Sequence, residues 1–288
     1  MTAKTLRKSG NVATSTGKRA AKETQLSAKQ SKTTKQSETT KRVAKAVSKE
    51  AMLPVQEKLQ IALSSLKKLS TKKDFDNLGR FGIDAPKAFG VSMSNIQVVA
   101  KRLGPDHELA AALWETGWYE ARMLTSFVDR PEQVTPAQMD RWCRDFDNWA
   151  ICDTLCFKLF DRTPYAWAKI DQWSGKREEF VKRAAFALIA SLSTHDKVSG
   201  DEPFLRCLPL IERAATDERN FVKKGVSWAL RGVGRRSAAL NAASVKLCRR
   251  LIDSSEPAAK WIGRVALKEL TSPLVMRGLA ARKSKDKR

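Results

Sequence analysis

The sequence predicts an all-α protein whose short helices pair antiparallel and stack into a superhelical solenoid. From about residue 50 onward, apolar residues recur at the three- and four-residue spacing of a helix face. Short breaks such as RTPY, TDERN and SSEPA separate these runs, and several carry the Ser, Thr, Asp or Pro residues that begin helices. Short helices and short loops, with a loose period of about 35–45 residues, are typical of a helical-repeat solenoid.

The chain divides into a tail and a repeat domain. Residues 1–48 hold almost no large apolar side chain, so they cannot bury enough surface to fold, and we predict a disordered basic tail. We assign 49–281 to the repeat domain and 282–288 to a basic C-terminal tail. Helices are predicted at 51–69, 93–103, 106–116, 118–128, 136–146, 149–160, 164–173, 177–193, 203–216, 220–235, 237–252 and 256–270.

The charge of the chain indicates a polyanionic partner. The formal net charge is +23, and residues 1–50 account for +10 of it, with 13 Lys and Arg against three Glu. The remaining +13 makes the folded part basic in its own right. Nucleic acid is the partner that best fits such an excess, and a membrane surface fits less well because the chain has no long apolar run. We therefore expect a nucleic-acid partner. We also expect a monomer, located in the bacterial cytoplasm in association with the nucleoid, or in the nucleus if the source is eukaryotic.

Cysteine and histidine usage argues against a metal site and against other cofactors. The five cysteines are an odd number at helical spacings, which favours a reducing compartment. Cys152 and Cys156 lie four residues apart on one predicted helix and are interpreted as core. The two histidines, His107 and His195, are far along the chain from any cysteine pair, so we expect no bound metal and no cofactor.

The stretch DFDNWAICDTLCFKLF, 145–160, places a carboxylate on an apolar face. In helical projection Asp153 lies about 40° from Trp149, on the side that also carries Cys152 and Cys156. Carboxylates are rarely buried unless a function or a partner requires them. Asp153 is therefore a candidate functional residue. The alternative is a satisfied core acid, paired with an arginine from the next repeat.

The helix NFVKKGVSWALRGVGRR, 220–236, has an aromatic residue within a basic stripe. Its apolar face carries Val222, Val226, Ala229, Leu230 and Val233. Its opposite face carries Phe221, Lys224, Trp228, Arg231 and Arg235. Cations that take phosphates and a ring that stacks on a base or sugar suit nucleic acid, although Trp228 could instead pack against the next repeat.

Arg183, in the helix KREEFVKRAAFALIASL, has two interpretations. It projects away from the apolar side, near Ala187 and Ala190, and these small neighbours leave room for a DNA backbone to reach its guanidinium. It could equally be a surface arginine paired with Glu179 one turn earlier. Trp114 and Trp118, also four residues apart, are interpreted as core between repeats.

Together these helices resemble the DNA alkylation repair (AlkD-like) glycosylases, which are built of HEAT-like repeats. The resemblance rests on NWAICD (148–153), VKRAAF (181–186) and VKKGVSWALR (222–231), in the family's order and with similar gaps, and more weakly on LGRFGIDAPKAFGVSMSNIQ (78–97). It covers about residues 50–270.

The resemblance implies hydrolysis of the N-glycosidic bond of alkylated purines in duplex DNA. In the family a Trp and an Asp four residues later line the cleft, which here are Trp149 and Asp153. A second Trp, matching Trp228, closes the other side of the sugar, and arginines matching Arg183 and Arg231 hold phosphates. Lys224 and Arg235 extend this predicted DNA-binding set.

The match departs from the family at three positions. Phe81 stands near the cleft entrance where a tyrosine is common, while Asn148 and Ala150 replace an acid and an aromatic residue of many relatives. Some branches of the family bind DNA without catalysis. A non-catalytic DNA-binding scaffold and a protein-binding repeat domain are therefore the alternatives to an enzyme.

The chemistry of a cationic lesion fits the predicted residues. An N3- or N7-alkylpurine carries a positive charge and leaves without protonation, so a site that offers no histidine suffices. A carboxylate about 4 Å from the developing oxocarbenium ion would stabilise it by roughly 4 kcal/mol at an effective dielectric constant of about 20.

Overall fold

The computed structural model describes the backbone of residues 52–285 and the side chains of residues 52–282. Over that range it contains fourteen α-helices, one 3₁₀ turn and no β-strand. The predicted tail at 1–48 lies outside the described residues. The helices are α1 (Val55–Lys68), α2 (Lys72–Arg80), α3 (Met93–Leu103), α4 (His107–Glu115), α5 (Tyr119–Val128), α6 (Pro136–Arg144), α7 (Trp149–Lys158), α8 (Ala166–Ser174), α9 (Glu179–His195), α10 (Glu202–Ala214), α11 (Asn220–Gly234), α12 (Ala238–Asp253), α13 (Pro257–Leu270) and α14 (Pro273–Lys285).

The helices form two rows, as a helical-repeat solenoid requires. From α3 to α13 each odd-numbered helix packs against the next odd-numbered one, so that α7, α9, α11 and α13 follow one another along a single layer. Even-numbered helices such as α8, α10 and α12 pack against this layer from the other side. Large apolar side chains fill the space between the rows, which confirms the predicted all-α, HEAT-like architecture.

The start of α7 is fixed by a side-chain cap. The Asn148 side-chain oxygen accepts a hydrogen bond from the Ile151 backbone N–H at 3.0 Å, which satisfies one of the helix's otherwise unpaired donors. Asn148 itself is buried. The cap therefore fixes the start of α7, from which the side chains of Trp149 and Asp153 project.

The predicted core residues are where the sequence places them. All five cysteines are free and buried, and the Cys152 and Cys156 thiols donate weak hydrogen bonds to backbone carbonyls of α9 at 3.6 Å. Trp114 is also buried and stacks on Trp142 with ring centroids 4.6 Å apart. Trp118 stacks on Phe89 at 4.0 Å, so both tryptophans are structural.

Two helices were not predicted, and several helix ends differ from the prediction by one to four residues. The short helix α2 lacks buried residues, so no apolar periodicity reveals it, and only the Thr71 cap marks its start. The helix α14 was also not predicted, and it extends to Lys285, past the expected domain boundary at 281. The predicted helix 149–160 ends at Lys158, and the chain then makes the 3₁₀ turn Phe160–Arg162.

The described residues include neither a helix that could span a membrane nor a group of side chains that could bind a metal ion. None of the helices described between 52 and 285 combines the length and apolar character needed to cross a membrane. Across the same part of the chain, no three His, Cys, Asp or Glu side chains are grouped so that they could hold a metal ion.

Candidate active site and nucleic-acid interface

One cavity gathers most of the residues that the sequence singles out. It has a volume of about 470 Å³ and lies on the layer formed by α7, α9, α11 and α13. Its lining residues are Phe81, Trp149, Asp153, Arg183, Phe221, Lys224, Ser227, Trp228, Arg231, Trp261 and Val265. We refer to it as the tryptophan pocket. Of the predicted site residues, only Arg235 lies outside it.

Tryptophans from three helices form the walls of the pocket. Trp149 projects from α7, Trp228 from α11 and Trp261 from α13. The Trp149 indole N–H donates to the Phe81 backbone carbonyl at 3.0 Å, which fixes the ring against the end of α2. Phe81 is 65% exposed and stands at the rim, consistent with its predicted place at the entrance.

Asp153 is paired with an arginine of the next repeat, which is the alternative that the sequence left open. The Arg183 guanidinium donates from Nε to Oδ1 at 2.8 Å and from Nη2 to Oδ2 at 2.7 Å. The side chains of Asp153 and Arg183 are 18% and 7% exposed. The pair joins α7 to α9 at the floor of the tryptophan pocket, with the carboxylate the more accessible partner.

Both interpretations of Arg183 from the sequence need correction. It is not a surface arginine paired with Glu179, and its guanidinium is not open to solvent. Besides Asp153 it reaches the Phe221 carbonyl oxygen, to which Nη1 donates at 2.5 Å. Helical projection missed these contacts because it shows where a side chain leaves its helix and not which neighbouring helix it meets. These contacts engage three of the five N–H donors of Arg183, which leaves little of the buried guanidinium for a phosphate.

The ion pair sets the charge of both groups. Burial raises the pKa of the Asp153 carboxyl, and the hydrogen bonds and charge of Arg183 act against that rise. Burial acts to lower the pKa of the Arg183 guanidinium, but the contact with Asp153 outweighs it and the pKa is raised. Arg183 therefore stays charged and favours the carboxylate form of Asp153.

Basic residues of α11 follow one side of the pocket. Lys224 is exposed and has no ion-pair partner among the residues that the structure describes. Arg231 and Arg235 are held by Glu269 at 2.7 and 3.2 Å, which keeps their guanidinium groups side by side along the helix. Arg235 is half exposed and lies beyond the rim of the pocket.

Four lining residues, Phe221, Ser227, Trp261 and Val265, were not predicted as part of the site. Trp261 is 39% exposed, and the Lys223 ammonium lies 5.3 Å from its ring centroid. Like Trp228, it stands off the apolar stripe of its helix, which is the signal that could have identified it. Phe221 and Ser227 complete the floor, and the buried Ser227 hydroxyl has no hydrogen-bond partner among the described residues.

Comparison with known proteins identifies a matching sequence family and a solved structure of similar fold. The family model described as DNA alkylation repair enzyme matches residues 62–270, which is most of the chain. A solved structure described as "A new family of proteins related to the HEAT-like repeat DNA glycosylases with affinity for branched DNA structures" is similar in fold. Its TM-score is 0.61 at 17% sequence identity, and the match covers 72% of this chain and 92% of that one. No curated protein sequence matches.

Proposed function

Because the chain belongs to the DNA alkylation repair enzyme family, we propose that it is a DNA glycosylase that excises cationic N3- and N7-alkylated purines from duplex DNA. The observation that carries the proposal is the tryptophan pocket, in which Trp149, Asp153 and Trp228 from two helices face one cavity beside the basic residues of α11. A sugar that carries a developing positive charge needs a negative group and apolar faces around it, and these residues supply both.

The reaction needs little from the protein beyond electrostatics. The bond between the sugar C1′ and the purine nitrogen breaks, and its electron pair neutralises the cationic base. The sugar passes through an oxocarbenium-like state, and a water oxygen then bonds to C1′ and releases a proton. Asp153 would stabilise the positive sugar and accept a hydrogen bond from the attacking water.

Arg183 limits how much Asp153 can contribute. A carboxylate about 4 Å from the sugar contributes roughly 4 kcal/mol at an effective dielectric constant of about 20. A guanidinium about 7 Å from the same charge would oppose it by roughly 2 kcal/mol. The remaining stabilisation, about 2 kcal/mol, corresponds to a rate increase of roughly thirtyfold. Arg183 is nevertheless required, because without it burial would favour the protonated and uncharged form of Asp153.

The aromatic residues would complete the charge stabilisation. Trp149 and Trp228 can place the negative faces of their rings against the sugar, at about 0.5–2 kcal/mol for each ring. Neutral purines would gain little from such a site, because their leaving group still requires protonation. The preference for cationic lesions would therefore follow from the chemistry rather than from a shaped base pocket.

We assign duplex binding to Lys224, Arg231 and Arg235, with Phe81 at the entrance. Lys224 has the most accessible charge of the three cations, and each phosphate contact should add to the salt dependence of binding. Arg183 is reassigned from a phosphate contact to a residue that positions Asp153, because its guanidinium is already occupied.

The direct test is incubation of the purified protein with methylated duplex DNA, followed by detection of released 3- and 7-methylpurines. We expect release of the cationic bases and none of unmodified purines. Binding of the duplex without any released base would contradict the proposed activity.

A second candidate is a DNA-binding protein of the same fold that does not catalyse excision. The Asp153–Arg183 ion pair favours it, because a carboxylate already neutralised by a guanidinium is a weaker catalyst than a free one. The similar solved structure, described as having affinity for branched DNA, gives this candidate a specific substrate class. Affinity for a four-way junction well above that for a linear duplex, without base release, would support it.

A further inference from the structure

The two histidines of the chain make the same contact in two different places. His195 Nδ1 lies 2.5 Å from Asp161 Oδ2, and His107 Nδ1 lies 2.6 Å from Asp129 Oδ1. Both carboxylates are fully buried, whereas the imidazole rings are 36% and 29% exposed. A buried carboxylate is costly without a positive or hydrogen-bonding partner, so each histidine has a structural task.

The two aspartates differ in how fully they are satisfied. Asp129 also accepts hydrogen bonds from the Arg130 backbone N–H at 2.7 Å and from the Gln138 amide at 2.9 Å. Asp161 has no such support, and its Oδ1 atom is buried without a hydrogen-bond partner among the described residues. Asp161 therefore depends on His195 and on its charge more strongly than Asp129 depends on His107.

His195 is connected to the tryptophan pocket through one aromatic side chain. Its ring meets the edge of Phe157 at 4.2 Å between centroids, and Phe157 in turn stacks with Trp228 at 6.1 Å. Phe157 lies one helical turn beyond Asp153 on α7, so the stripe that carries Trp149 and Asp153 leads towards His195. His107, at the start of α4, has no such connection.

The charged groups around His195 are mostly positive. Lys158 at the end of α7 and Arg162 in the 3₁₀ turn act on Asp161 together with His195, and they oppose the rise that burial causes in the pKa of Asp161. On the other side, the Asp196 carboxylate accepts from the Val198 and Ser199 backbone N–H groups.

The neighbouring loop and helix add two more cations. Lys197 follows Asp196 and donates to the Thr194 carbonyl, while Arg236 at the end of α11 donates to the Asp196 and Ser199 carbonyls. The carboxylates of Asp161 and Asp196 are thus paired with neighbouring groups. An anion that approached His195 would therefore meet net positive charge.

We propose that His195, held in place by Asp161, donates a hydrogen bond from its outer ring nitrogen, Nε2, to a phosphate of the bound DNA. No hydrogen bond from Nε2 to another described residue is present, and Nδ1 is occupied, so a protonated ring offers one free donor. This contact would extend the interface along the ends of α7 and α9. The proposal depends on the proposed function in one respect only: DNA must bind to the face that carries the tryptophan pocket.

The test measures binding to an undamaged duplex as a function of salt concentration for two matched variants. His195→Gln and His107→Gln each leave a buried aspartate without its imidazole, so both should lose thermal stability. Only His195→Gln should change DNA binding. We expect its affinity to fall roughly fivefold and its salt slope to decrease by about 0.9.

A variant that keeps a cation gives the sharper result. His195→Lys places an ammonium group where the imidazole stood, so it should retain the wild-type affinity and salt slope that His195→Gln loses.

Equal loss of stability in both glutamine variants, with unchanged affinity and salt slope, would show that His195 only balances Asp161 and would overturn the proposal. Excision is not the readout, so a protein that binds DNA but releases no base still decides this question. A wild-type protein that does not bind duplex DNA would contradict the proposed function and this inference together.

Discussion

At the scale of single residues, Arg183 controls the charge of Asp153, so its replacement should change how excision depends on pH. In Arg183→Gln, burial is no longer opposed by a cation, and the pKa of Asp153 should rise further. Because the carboxylate is the active form, the rate at neutral pH should fall and recover as the pH is raised. A single-turnover pH–rate profile measures this shift.

Arg231→Gln provides the control for that profile. Arg231 lines the same pocket but pairs with Glu269, so its loss should weaken DNA binding without moving the profile. If Arg183→Gln lowered the rate equally at every pH, Arg183 would have no effect on the protonation of Asp153.

Trp261 should contribute to the binding of a nucleotide in the pocket. Its exposed ring offers a stacking face, and truncation of such a ring costs about 1–3 kcal/mol per stacked base. We expect Trp261→Ala to weaken binding of a methylated duplex roughly tenfold or more, and Trp261→Phe to retain most of the affinity. Phe75→Ala is the matched control, since Phe75 is 46% exposed but lies outside the pocket.

The sequence predicts which residues face the pocket better than it predicts what they touch. Asp153 and Trp228 were identified because each departs from the pattern of its own helix, whereas Trp149 was identified through the family resemblance. The partner of Asp153 could not be found this way, because Arg183 lies thirty residues further on in a different helix. Trp261 was missed although it carries the same signal as Trp228, because no neighbouring motif drew attention to it.

At the scale of the helices, Asp217 ties the loop before α11 to α9. Hydrogen bonds from Arg219 lower the pKa of Asp217 below the ordinary 3.8 despite partial burial, and Lys182 adds to this. The ionised group therefore stabilises the fold above about pH 4, and this contribution is lost as the pH falls through the lowered pKa.

Asp217→Asn should accordingly reduce the free energy of unfolding at pH 7 by about 1–2 kcal/mol. The difference from wild type should shrink progressively as the pH falls below about 4. Denaturant unfolding at several pH values measures it, with Asp76→Asn as the control, because Asp76 forms only an exposed pair with Lys72. A difference that stays constant with pH would exclude the ion pairs as its cause.

Helix boundaries follow from the sequence wherever a helix buries one face. The predicted range 93–103 coincides with α3, and 220–235 differs from α11 by one residue. Two helices were missed: α14, and α2, which buries no residue and so leaves no apolar pattern. The omission of α2 matters for function because Phe81, at the rim of the pocket, directly follows it.

At the scale of the whole molecule, the basic tail should add affinity for DNA without specificity. Its charge is spread over 1–48 without aromatic residues, so it can neutralise phosphates but offers no ring to stack on a base. Deleting it should flatten the salt dependence of duplex binding. Excision at saturating enzyme should barely change, and a tenfold fall in the single-turnover rate would reveal a further role.

The central claim is that Asp153 stabilises a cationic sugar, and single-turnover excision by Asp153→Asn tests it. The change removes the negative charge but leaves Arg183 positive beside the sugar, so the rate should fall about a hundredfold or more. The variant should also lose about 1–3 kcal/mol of stability, because Arg183 loses its charged partner.

Both quantities are best measured on one preparation, with Asp217→Asn as a comparably destabilised control that does not touch the pocket. The account predicts that Asp217→Asn excises at the wild-type rate while folded, whereas folded Asp153→Asn binds duplex DNA but hardly excises. A folded Asp153→Asn protein that releases methylated purines at the wild-type rate would contradict it.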